Sequence, residues 1–116
     1  IQYAFSFPNR LPLRGDRLDL FKTQDLQFFE PDYTKFKCLQ LAFDAIHMGG
    51  NMSCILNAAN EVVNAGFRRG ECGFLQMADI IEQVMQKATF DKSPDLDVYL
   101  RTDAEARRIA TELMNK

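Results

Sequence analysis

The stretch Ile55-Leu56-Asn57-Ala58-Ala59-Asn60-Glu61-Val62-Val63-Asn64-Ala65-Gly66-Phe67 decides how this chain folds. Laid out at 100° per residue, Asn57, Asn60, Glu61 and Asn64 share an arc of roughly 100°. The rest of the circumference is apolar or small. A helix with that distribution sits inside a bundle rather than on its outside. Its polar stripe is made of asparagines, which are poorer helix formers than the Lys, Glu and Gln of an ordinary solvated face. Two readings follow. The stripe is either a solvated face, or one bonded to loop backbone of its own domain, or it anchors another domain of a larger protein.

Working outward, the helical period extends on both sides. Upstream, Phe36, Leu39, Phe43 and Ile46 recur at three and four with Ala42 and Ala45 alongside, and Gly49-Gly50 ends that helix. The asparagine helix is entered near Asn51 or Ser53 and ended by Gly70, and its Gly66 implies close packing against another helix. A third helix is expected from about residue 76 to 88, with Met77, Ile80, Ile81, Val84 and Met85 as its apolar stripe. Ser93-Pro94-Asp95 starts a short turn of helix through Leu100. A last helix is then expected to open at Thr102-Asp103-Ala104-Glu105, read as a capping box, with Ala106, Ile109, Ala110 and Leu113 facing the core.

Residues 1–33 lack that period. Pro8, Pro12, Gly15 and Pro31 punctuate them, Ile1 to Phe7 reads as a short helix or extended segment, and Leu26-Gln27-Phe28-Phe29 is a candidate strand. The expected fold is mainly α: a compact helical bundle over residues 34–116, preceded by an irregular arm with at most one short strand. The opening at Ile1, without Met, reads as a fragment cut from a longer polypeptide.

Composition narrows the function. The 116 residues carry a net charge of −2 with 26% charged and 47% hydrophobic residues, so a single globular domain with a real core is expected. That charge favours neither nucleic acid nor an anionic membrane as partner. The pairs Arg68-Arg69 and Arg107-Arg108 read as solvated helix ends. Cys38, Cys54 and Cys72 sit among apolar neighbours with no Cys-x-x-Cys, which reads as buried free thiols in the cytoplasm. His47 is the only histidine, so no zinc site and no nucleophile–base pair can be assembled. Asp79 and Glu82, three apart on one helix, read as a solvated face rather than a metal site. No catalytic, metal or cofactor residue is assigned.

Several separated runs resemble one enzyme family. They are Ile1-Gln2-Tyr3-Ala4 with Pro8-Asn9-Arg10-Leu11, Leu18-Asp19-Leu20, Phe29-Glu30-Pro31-Asp32 and Cys38-Leu39-Gln40-Leu41-Ala42. Beyond these stand Gly49-Gly50, Ile55-Leu56-Asn57-Ala58-Ala59-Asn60-Glu61-Val62, and Gly73-Phe74 leading into Ala78-Asp79-Ile80-Ile81-Glu82. In order and spacing they resemble the C-terminal part of 1-deoxy-D-xylulose 5-phosphate reductoisomerases over residues 1 to about 112. Ser53-Cys54 stands where Pro-Ala is frequent in the family, and Lys37 where Pro often begins the helix.

The resemblance implies a parent enzyme that uses NADPH and a divalent cation, Mg or Mn. That enzyme converts 1-deoxy-D-xylulose 5-phosphate to 2-C-methyl-D-erythritol 4-phosphate in the non-mevalonate route to isoprenoids, as a cytoplasmic homodimer. It implies that residues 1–33 are a linker from a missing catalytic domain and that residues 34–116 are the C-terminal domain. It also implies that the fragment, without its N-terminal and catalytic domains, binds neither cofactor and is inactive. Asn57, Asn60, Glu61 and Asn64 are then expected to anchor the domain to its neighbours. The competing expectation is an independent helical module that binds a partner protein through the apolar arm.

Overall fold

The computed structural model describes residues 1–12, 14–23 and 25–115. It contains five helices: α1 (Gln2–Ser6), α2 (Lys37–Met48), α3 (Met52–Arg69), α4 (Phe74–Lys87) and α5 (Leu96–Met114). Among the described residues there is no strand. Residues 26–29, expected as a candidate strand, run without ladder pairing. A strand needs a partner, and among the described residues no second strand supplies one. The chain divides into two compact units, Ile1–Glu30 and Pro31–Lys116.

In the first unit α1 buries none of its residues. Local contacts hold its shape. Tyr3 packs edge-on against Phe7 at 5.8 Å, and the Arg10 guanidinium lies 4.2 Å from the Tyr3 ring centre. Ser6 donates to the Asn9 carbonyl at 2.7 Å. Farther on, Asp19 organises a turn: its carboxylate accepts from the Phe21 amide at 3.0 Å and its carbonyl from the Thr23 hydroxyl at 2.9 Å.

The second unit is a four-helix bundle with α3 at its centre, in contact with α2, α4 and α5. Ile55, Ala58, Ala59 and Val63 of α3 are fully buried, as the all-round apolar pattern requires. Gly66 is buried where the side chain of Met114 crosses, so a Cβ there would stand 2.6 Å from the Met114 sulfur. α4 contributes Met77, Ile80, Ile81 and Val84, and α5 contributes Ala106, Ile109 and Ala110. Helix ends fall where turn chemistry puts them. Gly70 takes a left-handed conformation (φ 78°) and donates back to Phe67, while Gln76 reaches back to the Gly73 amide at 2.7 Å to start α4.

Four local expectations differ from the structure. First, α5 is one helix rather than two: Asp95 caps it, accepting from the Val98 amide at 2.8 Å. Nothing between Leu96 and Thr102 breaks the helix, so Thr102 and Glu105 lie inside it and form no capping box. Second, Phe36, Leu39, Phe43 and Ile46 face outward, and the inner side of α2 is formed by Leu41 and Ala45. Third, the thiols are not buried: Cys38 is exposed, and Cys54 and Cys72 are half-buried. Fourth, Arg107 is no solvated end but half-buried against α3.

Candidate functional site

The asparagine stripe runs along the outer face of α3, and all four of its members are exposed. Two of them are tied to the bundle. Asn57 donates to the Glu61 carboxylate at 3.3 Å, and Glu61 accepts from the Arg107 guanidinium of α5 at 2.6 Å. Arg107 also donates to Asp103, one turn earlier, at 2.8 Å. The guanidinium, with help from Asn57, holds the Glu61 carboxyl below its usual range. Asp103 and Glu61 in turn push the Arg107 pKa up, which keeps it charged.

Asn60 and Asn64 are different. Among the described residues their amides make no side-chain hydrogen bond. Asn60 borders a shallow depression lined by Cys38, Leu56 and Ile81. The stripe therefore divides into an internal half, Asn57 and Glu61, and a free half, Asn60 and Asn64, which presents amide donors and acceptors outward.

Two polar nodes position this face, and neither was legible in the sequence. Asn51 is 1% exposed and joins three segments. Its amide nitrogen donates to the Thr89 carbonyl and to the Thr102 hydroxyl, both at 2.9 Å, and its amide oxygen accepts from the Asp91 amide at 2.9 Å. The α2–α3 turn is thereby fixed against the α4–α5 loop. Gly50 (φ 55°) makes the close approach possible, because a Cβ there would collide with the Asp91 carbonyl. The second node lies at the start of α2, where Lys37 donates to Glu82 at 2.8 Å and to Asp79 at 2.9 Å on α4. The two carboxylates push the Lys37 pKa up. The pair read as a solvated face is thus partly exposed but engaged by Lys37.

Among the described residues no group of three His, Cys, Asp or Glu side chains comes together. Asp79 and Glu82 are occupied by Lys37, and His47 is exposed at the end of α2. Partial desolvation by their neighbours pushes the Cys38 and Cys54 thiols up, away from the thiolate a nucleophile needs. No helix of the described residues is long and apolar enough to cross a membrane. The arrangement is suited to holding surfaces together by hydrogen bonds and packing.

Comparison with known proteins gives that reading a context. A family model described as the DXP reductoisomerase C-terminal domain matches residues 1–109. The chain is 53% identical over 116 residues to the 1-deoxy-D-xylulose 5-phosphate reductoisomerase of Bacteroides fragilis, covering 100% of this chain and 30% of that protein. It superposes with a TM-score of 0.84 and 34% identity on the Zymomonas mobilis reductoisomerase in complex with NADPH, over 99% of this chain and 30% of that one. A DOX-P reductoisomerase structure with NADPH, fosmidomycin and magnesium gives a TM-score of 0.88 at 30% identity, over 98% of this chain and 30% of that one. The chain thus spans about 30% of the length of the relatives it matches. Its sequence and its helical fold agree with these matches, and the chain belongs to the DXP reductoisomerase C-terminal domain family.

Proposed function

We propose that this chain is the C-terminal helical domain of a cytoplasmic, homodimeric enzyme. That enzyme rearranges and reduces 1-deoxy-D-xylulose 5-phosphate to 2-C-methyl-D-erythritol 4-phosphate with NADPH and a divalent cation. The observation that carries the reading is the family match over residues 1–109, in relatives more than three times as long. Within that enzyme the domain buttresses the active site and does not carry it. Asn60 and Asn64, open on α3, hydrogen-bond to linker or catalytic-domain backbone, with Asn57 and Glu61 beside them holding the face in place. A supporting shell of this kind matters because misplacing reacting groups by about 1 Å costs on the order of 100-fold in rate.

Reconstitution tests this. The purified chain is mixed with the remainder of the enzyme, and substrate-dependent NADPH oxidation is followed with Mg present and with each piece alone as control. Activity that appears only in the mixture is the expected result. Full activity from the remainder alone would remove the buttressing role. At residue level, Asn60→Ala in the full-length enzyme is expected to lower turnover or melting temperature, while unchanged kinetics and melting would return the stripe to a solvated face.

A further inference from the structure

We propose that the outward face of α2 is an interdomain interface, seated in the complete enzyme on the polypeptide that precedes this domain. The proposal rests on the reading that the chain is one part of a longer reductoisomerase. It starts from an oddity of α2, which is apolar on two opposite sides. Leu41 and Ala45 point into the bundle and are buried. On the far side, Leu39, Phe43 and Ile46 fall within an arc of roughly 60°, and Phe36 stands at the N-terminal end of the same stripe. These four side chains are 57% (Phe36), 40% (Leu39), 43% (Phe43) and 68% (Ile46) exposed. Tyr33 extends the stripe, packing edge-on against Phe43 at 6.1 Å.

Within α2 no charged side chain interrupts this arc; at its N-terminal end the Lys35 ammonium lies 5.9 Å from the Phe36 ring centre. Lys37 is turned to Asp79 and Glu82 on α4, and Asp44 accepts from Gln40 at 2.7 Å on another side of the helix. A helix apolar on both sides is one that is covered on both sides. Elsewhere in the bundle, exposed apolar side chains lie near helix ends or in the α4–α5 loop: Phe67 at the end of α3, Phe74 and Leu75 at the start of α4, Phe90 in the loop, and Leu96, Tyr99 and Leu100 in the first turns of α5. Only on α2 do they run the length of the helix. The outer face of α3 offers Asn57, Asn60 and Asn64 instead, and that of α5 offers Arg101, Arg108 and Glu112.

The occupant follows from what accompanies this domain in its relatives. The matching family model is a C-terminal domain, and the chain spans 30% of the Bacteroides fragilis enzyme, so the larger part of the relative's chain lies ahead of the matched region. Covered aromatic side chains bury about 150–250 Å² each. Two phenylalanines, a leucine, an isoleucine and a tyrosine edge therefore supply several hundred Å², the scale of the apolar centre of an interface between domains of one chain.

The test is carbene footprinting of the isolated 116-residue chain and of the full-length enzyme, with reductoisomerase activity measured on the same full-length sample. Labelling of Phe43 and Ile46 is expected to fall several-fold in the full-length enzyme, while the polar face around Arg108 and Glu112 keeps its labelling. Equal labelling of Phe43 and Ile46 in an active enzyme overturns the interface and leaves the functional reading standing. Protection in a preparation without reductoisomerase activity supports the interface and removes the functional reading. Protection that grows with concentration in the isolated chain assigns the face to a second copy and overturns the proposal. An Ile46→Glu variant gives an independent check. It is expected to leave the melting of the isolated chain unchanged and to lower that of the full-length enzyme by several degrees, whereas equal effects on both overturn the proposal.

Discussion

Residues 1–30 and the helical unit that follows both carry many large apolar side chains, yet only the second buries them. In the first unit Phe5, Phe7, Leu18, Leu20, Phe21, Leu26, Phe28 and Phe29 all stand exposed. In the second, Ile55, Val63 and Val84 are wholly excluded from solvent. The difference is periodicity rather than composition. In α3, α4 and α5 the apolar residues recur at three and four, so each helix has one side to turn inward and the others to turn it against. Prolines at 8 and 12 and, among the described residues, a single short helix give the first unit no such side. Hydrophobicity without register remains at the surface, and register buries a stripe only where another helix faces it, as the exposed outer stripe of α2 shows.

That contrast is most directly broken by truncating one side chain in each region. Ile55→Ala removes a fully buried side chain from the central helix and is expected to destabilise the bundle by about 2–5 kcal/mol, read from urea denaturation followed by circular dichroism. Phe28→Ala removes a larger side chain from the first unit and is expected to stay within about 0.5 kcal/mol. A comparable cost for the two would mean that the first unit shares the cooperative core, and the distinction would fail.

A smaller loss is expected at Asn51, where the bundle depends on polar register as well as apolar register. Asn51→Ala leaves the Asp91 amide without its acceptor and the Thr89 carbonyl and Thr102 hydroxyl without their donor, a cost of about 1–3 kcal/mol. Asn51→Asp keeps the shape and the acceptor for Asp91 but cannot donate to Thr89, and it places a charge where the residue is buried. It should therefore melt no higher than the alanine variant at neutral pH. Wild-type melting from either variant would show that the junction between the α2–α3 turn and the α4–α5 loop is held by something else.

What could be read before the structure follows the same division. Helix boundaries at Gly49-Gly50 and Gly70, and the inner faces of α3, α4 and the second half of α5, are local patterns that the chain states outright. The Asn51 node is not local: its partners lie 38 to 51 positions away, and Lys37 meets Asp79 and Glu82 across 42 and 45. Residue type announces that such groups need partners but not which they find. The Thr102–Glu105 spacing misled because three residues apart is a capping box at a helix start and simple adjacency inside a helix. On α2 the period marks a stripe at Phe36, Leu39, Phe43 and Ile46, but a period cannot say which of two apolar sides meets the bundle. Asn57, Asn60, Glu61 and Asn64 share the outer face of α3, as their spacing requires. The stripe's division into bonded and open halves depended on Arg107, a residue of another helix.

The smallest effect tests that division. Glu61 has its folded pKa depressed by Arg107, so its contribution to stability is fully present above the unfolded carboxylate pKa, near about 4.3, and is lost as pH falls through the lower folded value. Arg107→Ala should remove this component, and the loss of stability on acidification below about pH 5 should be shallower than in the parent chain. Because both side chains are partly solvated, the difference should be smaller than either effect above and should fade as salt is raised. Melting curves from pH 7 to pH 3 at low and high salt read it directly. An unchanged acid slope would mean that Glu61 is not held by Arg107 in solution. The carboxylate would then join Asn60 and Asn64 on the open half of the stripe, and the open face of α3 would gain a negative charge.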